Sequence, residues 1–503
     1  MIKYFFPFNN MERRGHLIFI TIVAILFVAI VVYNETRERG EVMAKPVFGG
    51  DYDPTTDIQV IFRIDEIRKI DFDLNEEPTM MLEISMDGKG FEVGPWKGVD
   101  VYPRWRYIQD VDDSKENVTI EVKLYEIQGE EKVLSDISPA EGDYTGKTLK
   151  LTYSIKTGKW WGEDWLGDEN GYGHASGTED GNYDENDYEI FFDIYQTDAD
   201  GDRLTYWEEV NVYHTDPNAS DYGKDYDNDG VPIEWEVKYG YDPFKYENHS
   251  ELDPDKDGIQ NIEEYWMSEW HSDPFSQDVF VEVDYMKNML FGTTTLPEYS
   301  KEKVISAFTK HNIVLHIDDG LMGGGGEVLP YERFYTPEKL SLYYNEYFLH
   351  NGREEWRKGI FRYAVMVHYT IPSRKNVAGY SYWPSNEDKF CAFVVGTRVI
   401  KNYRFTPLAR QTATASLFMH ELGHTLGIFW HTHHGCDNMT TIYPWLCGWD
   451  KYANYKSCMN YRYAWQLIDY SDGSHGEGDF DDWSHIDPAF FEKNFFAEPP
   501  IIL

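Results

Sequence analysis

From Asp57 to about Ile194 apolar and polar residues alternate in short runs, as in Ile58–Ile64, Met80–Ile84 and Val118–Tyr125. A period of two puts neighbouring side chains on opposite faces of a strand, and clusters of Gly, Asp and Pro supply the turns between runs, so this stretch predicts an all-β sandwich. The texture changes at Asp198, where short Asp-rich loops recur at spacings of 27 and 28 residues, an internal repeat. From Val279 onward strand and helix patterns follow one another. Val279–Tyr285 and Ile313–Ile317 read as strands with an amphipathic helix at Lys301–Lys310 between them. A helix from about Pro337 to His350, strands at Phe361–Tyr369 and Phe390–Val395, and a helix from about Leu408 to Leu426 come next, an order that implies a mixed α/β or α+β domain, taken here as α+β.

Ahead of these patterns, Leu17–Tyr33 is a seventeen-residue run without a charge, enough for a short membrane helix. Lys3, Arg13 and Arg14 precede it, whereas Arg37 and Arg39 are diluted by Glu35, Glu38 and Glu41. That bias places the N-terminus in the cytoplasm and everything after about residue 40 outside, with a cleaved signal peptide as the rival reading. The expected fold class is therefore multidomain. Residues 1–40 are a cytoplasmic tail and N-terminal membrane helix, 50–196 the all-β sandwich, 197–276 the Asp-rich repeat block and 277–503 the α+β domain.

Charge narrows the function. Acidic residues outnumber basic ones 88 to 46, for a net charge of -42, which repels nucleic acid and favours divalent cations. Each repeat loop fits the twelve-residue calcium template: oxygens at positions 1, 3 and 5, a carbonyl at 7, Gly at 6 for the turn and Glu at 12. The matching residues are Asp198, Asp200, Asp202 and Glu209; Asp225, Asp227, Asp229 and Glu236; and Asp253, Asp255, Asp257 and Glu264. The first loop departs from the template with Arg203 in the glycine position. Between the loops recur Asp216-Pro217, Asp242-Pro243 and Asp273-Pro274, and the block resembles the thrombospondin type-3 and dockerin-like calcium repeats. Gly167–His174, followed by Asp184 and Asp187, looks like the acidic loop of a calcium-and-lipid-type sandwich, or is simply a polar loop.

The helix from about Leu408 carries HELGH at His420–His424. Residues four apart share a helix face, so both imidazoles address one spot and can hold a zinc ion. Glu421 beside them can take a proton from water attacking a peptide carbonyl and pass it to the leaving amine. Gly427 follows where the chain must turn before a third ligand returns.

The stretch His420–His431, HELGHTLGIFWH, resembles the metzincin consensus H-E-x-x-H-x-x-G-x-x-H. The third ligand of that family falls on Trp430, so the resemblance shifts the role to His431, with His433, His434 and Asp437 as alternatives. Ser457–Tyr461 looks like the family's methionine turn. That likeness implies Met459 as the base of the site and Tyr461 as a catalytic group reaching the metal or the oxyanion. A cysteine switch is excluded, because no Cys precedes Cys391, while Phe48–Asp51 matches an aspartate-switch pattern. Cys391, Cys436, Cys447 and Cys458 can pair as disulfides outside the cell. The reading is a membrane-anchored extracellular endopeptidase with Zn2+ and Ca2+, a protein or peptide substrate and no nucleic-acid partner. A calcium-dependent surface-binding protein with an inactive peptidase-like domain is the alternative, and hydrolysis of non-peptide amides a third reading.

Overall fold

The computed structural model describes residues 52–492, apart from 74–75, 141–145, 165–172, 183–185, 289–291, 321, 323, 371–376 and 383–390. Eleven strands make two facing antiparallel sheets. They are β1 (Gln59–Lys69), β2 (Thr79–Met86), β3 (Lys89–Lys97), β4 (Asp100–Val101), β5 (Trp105–Asp110), β6 (Asn117–Gln128), β7 (Glu131–Ser135), β8 (Leu149–Ser154), β9 (Trp160–Gly162), β10 (Gly173–Ser176) and β11 (Tyr188–Gln196). One sheet runs β10-β11-β1-β4 with β5 also on β1, and the other β3-β2-β6-β8-β9 with β7 on β6. Strict alternation explains the packing. In β6 the side chains of Val118, Ile120, Val122 and Leu124 are buried and meet Phe62, Ile64 and Phe192 of the opposite sheet, while the residues between them face out.

The repeat block is nearly all loop, with short helices α1 (Tyr206–Glu208), α2 (Ile233–Tyr239) and α3 (Asn261–Trp266), each following one Asp-rich loop. Its first loop leans on the sandwich, where the Arg203 guanidinium lies 3.8 Å over the Tyr195 ring and Lys156 lies 4.1 Å over Trp207. Its third loop is tied to the next domain, since the Asp278 backbone N–H donates to Asp257 Oδ2 at 2.8 Å.

That domain contains β12 (Asp278–Asn288), β13 (Gly292–Thr293), α4 (Glu298–Thr309), β14 (Val314–Asp318), β15 (Val328–Leu329), α5 (Pro337–Tyr343), β16 (Phe361–Val367), β17 (Gly379–Tyr382), β18 (Ala392–Gly396), α6 (Thr397–Tyr403), α7 (Pro407–Thr425) and α8 (Gly448–Lys451). Central β12 pairs in parallel with β14, β15 and β16, β16 with β18 in parallel, and β17 closes the sheet antiparallel to β18. Both faces are covered, as a mostly parallel sheet requires. Val279, Val281 and Val283 pack with Phe308 of α4 and Leu417, Phe418 and Leu422 of α7, while Phe280 faces Leu340, Tyr344 and Phe348. The sandwich docks on α4 through buried Arg68, which pairs with Glu189 at 2.7 Å and lies 3.7 Å from Glu302.

These findings correct the expected fold class. The described residues are mostly β-sheet with few helices, and none of those helices is long and apolar enough to cross a membrane. The run at Leu17–Tyr33 lies outside the described residues, so no N-terminal membrane helix is supported. The C-terminal domain is not α+β either but α/β: α4 and α5 lie between strands that run parallel to β12, because parallel neighbours need crossovers that helices supply, and α7 follows the last strand. Hydrophobic period identifies a strand but not its direction.

Candidate metal centre and calcium loops

Helix α7 starts at Thr406, whose hydroxyl accepts the Ala409 N–H, with Pro407 in the first turn where its missing N–H costs nothing. From Ala413 onward the helix is buried, so His420, Glu421 and His424 project into a protein-lined space. His420 Nδ1 lies 2.8 Å from the Cys458 carbonyl and His424 Nδ1 2.8 Å from the Ile428 carbonyl. A carbonyl only accepts, so both rings carry the proton on Nδ1 and present an Nε2 lone pair, the arrangement by which proteins orient imidazole ligands.

Both lone pairs address Asp437. Its Oδ1 is 3.2 Å from His420 Nε2 and 3.6 Å from His424 Nε2. All three atoms are buried without a hydrogen-bond partner, and the three side chains form a group able to hold a metal ion. Burial alone would raise the Asp437 carboxyl, but with no ion present the two imidazoles, when protonated, hold it well below the usual carboxylate range. Two imidazole nitrogens and one carboxylate oxygen form a donor set that zinc accepts.

The third position differs from the expected one. Helix α7 ends at Thr425, Gly427 turns at φ 90°, and Thr432 Oγ1 folds back to the Gly427 carbonyl at 3.1 Å. This turn leaves His431 exposed, with its ring against Trp430, and the structure does not bring it to the pair. His433 stacks on Phe480 at 4.9 Å and its pKa is pushed down to about 4, first by burial, while His434 is exposed. The chain returns at Asp437, whose backbone N–H donates to the Met459 carbonyl at 3.1 Å.

Met459 is fully buried beneath the helix, and a Cβ on Gly423 would meet its Sδ at 2.7 Å, so the close approach needs glycine there. The Tyr461 ring centroid is 5.8 Å from that of His420, with its hydroxyl in reach of Asp437. Glu421 is fully buried, and Ser381 Oγ of the last strand donates to its Oε2 at 2.5 Å while Oε1 has no partner. Burial pushes the Glu421 carboxyl up to about 7, against the opposing pull of His420 and Ser381. A Cβ on Gly379 would collide with Glu421 Oε1, so β17 approaches the acid through a glycine. The four cysteines are free thiols, with Cys391, Cys436 and Cys458 buried and Cys447 exposed.

The calcium-template residues fold as three compact loops. Position 1 accepts backbone N–H groups, as when Asp225 Oδ2 takes Gly230 N at 3.1 Å and Asp253 Oδ2 takes Gly258 N at 3.1 Å. Arg203 keeps the turn at φ 78°, where Gly230 and Gly258 have 105° and 92°. Glu209, Glu236 and Glu264, at position 12, are buried. Burial, then neighbouring aspartates, push Glu209 and Glu236 up to about 8, and Asp255 to about 9. Carboxylates in that state fit a bound dication, which would hold them ionised.

Sequence reasoning missed the residues that return to each loop. The backbone N–H groups of Asp221, Glu247 and Asp278 donate to position-5 Asp202, Asp229 and Asp257 at 2.8, 3.3 and 2.8 Å. A signal was present, since each lies four residues after the proline of an Asp-Pro pair. Asp202, Glu209 and Asp221 form one group able to hold an ion, and Asp229, Glu236 and His249 another. Nothing comparable marked Ser381 in the sequence. The aspartate-switch pattern, residues 167–172 and Asp184 lie outside the described residues.

No family model and no curated protein matches the chain. Among solved structures it is similar, over 30% of its length, to human GIVD cytosolic phospholipase A2 in complex with methyl gamma-linolenyl fluorophosphonate, at 14% identity and a TM-score of 0.18. The chain spans only 18% of that protein. It is also similar to a C2 domain of plant extended synaptotagmin 1 over 28% of this chain and 95% of that one, at 8% identity and a TM-score of 0.18. A CC2D1B structure matches over 31% and 59%, at 7% identity and a TM-score of 0.20. Likeness at these scores carries no functional argument.

Proposed function

We propose that the chain is a zinc-dependent endopeptidase stabilised by calcium. The observation that carries this reading is the convergence of His420 Nε2, His424 Nε2 and Asp437 Oδ1, buried and unpartnered, beside an equally buried Glu421. Three unsatisfied polar atoms at one buried point are costly unless an ion takes them up. The resemblance of HELGHTLG to the metzincin motif supports the same chemistry.

Zinc held there would polarise a peptide carbonyl and stabilise the charge developing on its oxygen. Glu421, with Ser381 fixing one oxygen, has the other free to take the proton of the attacking water and deliver it to the leaving amine. Tyr461, whose hydroxyl lies beside Asp437, would donate to the oxyanion. Strand β17 ends its sheet, and among the described residues no strand pairs with its outer edge, so an extended substrate backbone can add there next to Glu421.

Glu421→Gln tests the reading. It should abolish cleavage of an unstructured protein while zinc content stays at the wild-type level. Cleavage that persists would refute the assigned chemistry, and a wild-type protein that binds calcium but neither binds zinc nor cleaves would favour the surface-binding alternative.

A further inference from the structure

We propose that the middle Asp-rich loop holds a transition-metal ion through His249, Asp229 and Glu236, and so differs in kind from the calcium loops on either side. In the first loop the group is all oxygen, Asp202, Glu209 and Asp221. In the middle loop the residue in register with Asp221 and Asp278 is Glu247, but Lys245 draws its carboxylate away in an ion pair at 2.7 Å. The connecting segment delivers an imidazole instead. His249 is fully buried, and its Nε2 has no hydrogen-bond partner and lies 3.2 Å from Asp229 Oδ2. Both carboxylate oxygens of Glu236, itself fully buried, are likewise unpartnered.

The ring is held in place. It meets Tyr241 edge-on at 4.8 Å and Trp235 edge-on at 5.6 Å. Nδ1 lies 3.0 Å from Asn261 Nδ2, and a half turn of that amide would bring its unpartnered Oδ1 to the same place. With the amide oxygen turned to it, Nδ1 carries the proton and the Nε2 lone pair faces the carboxylates. With the amide nitrogen there, Nε2 would carry the proton and only bond Asp229, leaving an ordinary calcium loop. The unpartnered Nε2 and Glu236 oxygens favour the first arrangement. Calcium selects oxygen ligands, whereas one imidazole and two carboxylates suit zinc or cobalt.

Metal content of the full chain, dialysed against saturating calcium with zinc or cobalt in slight excess over two sites per chain, separates these cases. Wild type should retain two transition-metal ions per chain, one lost in His249→Gln and the other in the His420→Ala/His424→Ala double variant. The visible cobalt spectrum should lose one component in each. His249→Asp, which restores an oxygen set, should lose one cobalt and gain one calcium, and it reads the same question should the Gln variant misfold. A single ion lost only in the His249 variants would uphold this proposal and refute the peptidase reading. Zinc and cobalt content unchanged in both His249 variants would overturn it.

Discussion

The candidate metal centre on α7 and the Asp-rich loops both gather buried polar groups left without hydrogen-bond partners, yet they hold them by opposite means. In the loops the carboxylates are fixed by their own neighbourhood: Asp225 and Asp253 bond backbone N–H groups five residues on. At the centre the donors are held by distant chain. The His420 ring leans on a carbonyl 38 residues away, and Asp437 reaches the pair through the Met459 carbonyl. Donors held by distant, buried chain are fixed by the fold itself, which suits chemistry in which donors must not move during the reaction.

The largest expected effect belongs to the rigid site. Glu421→Gln should lower kcat/KM for a peptide by roughly 10²–10⁴-fold with unchanged melting temperature and zinc content, since it removes proton transfer alone. Loss of zinc in that variant would mean that Glu421 is structural.

Next is calcium removal, which should act on the loops. Chelation by an agent selective for calcium over zinc should cost about 3–4 kcal/mol per loop that had been held at 100–1,000 times its Kd, read as a fall in Tm. The pH dependence of the calcium-free protein has a definite sign. Burial and neighbouring aspartates push Glu209 of the first loop up to about 8 in the fold, above the ordinary value of about 4.3. A raised carboxyl means that its contribution to stability is fully present below the unfolded value and is lost as pH rises through 8. Tm without calcium should therefore fall between pH 5 and 9, and added calcium should remove that fall. A calcium-free Tm that climbs with pH would contradict the proposed crowding of carboxylates.

Ser381→Ala should reduce kcat about 3–10-fold, the worth of one hydrogen bond to Glu421, with KM nearly constant. Smallest of all, Arg203→Gly should change stability by less than about 1 kcal/mol. It relieves a strained positive φ but loses the stacking on Tyr195 and the pair with Asp193. A large loss would show that the Arg203 contacts dock the first loop on the sandwich.

The same contrast explains what was legible in the sequence. Positions 1, 3, 5 and 12 of each loop lie within twelve residues, and His420 and His424 within one helical turn, so spacing alone placed them. Asp221 and Asp278 reach their loops 19 and 21 residues after Asp202 and Asp257, beyond the span of any local template. His431 was expected as a ligand because local register carried it. The turn at Gly427 and Thr432 sends it to solvent, and Asp437 comes back only because the Met459 segment lies beneath the helix. Strand alternation revealed β2 and β6 because each buries one face, whereas the strand directions that make the C-terminal sheet mostly parallel leave no mark on the period.

The most direct test of the proposed centre compares Asp437→Ala with His431→Ala by zinc content and peptide cleavage in one preparation. The geometry predicts that Asp437→Ala loses the zinc held by His420 and His424 together with cleavage, while His431→Ala keeps both. The reverse, zinc and cleavage retained without Asp437 and lost without His431, would contradict it.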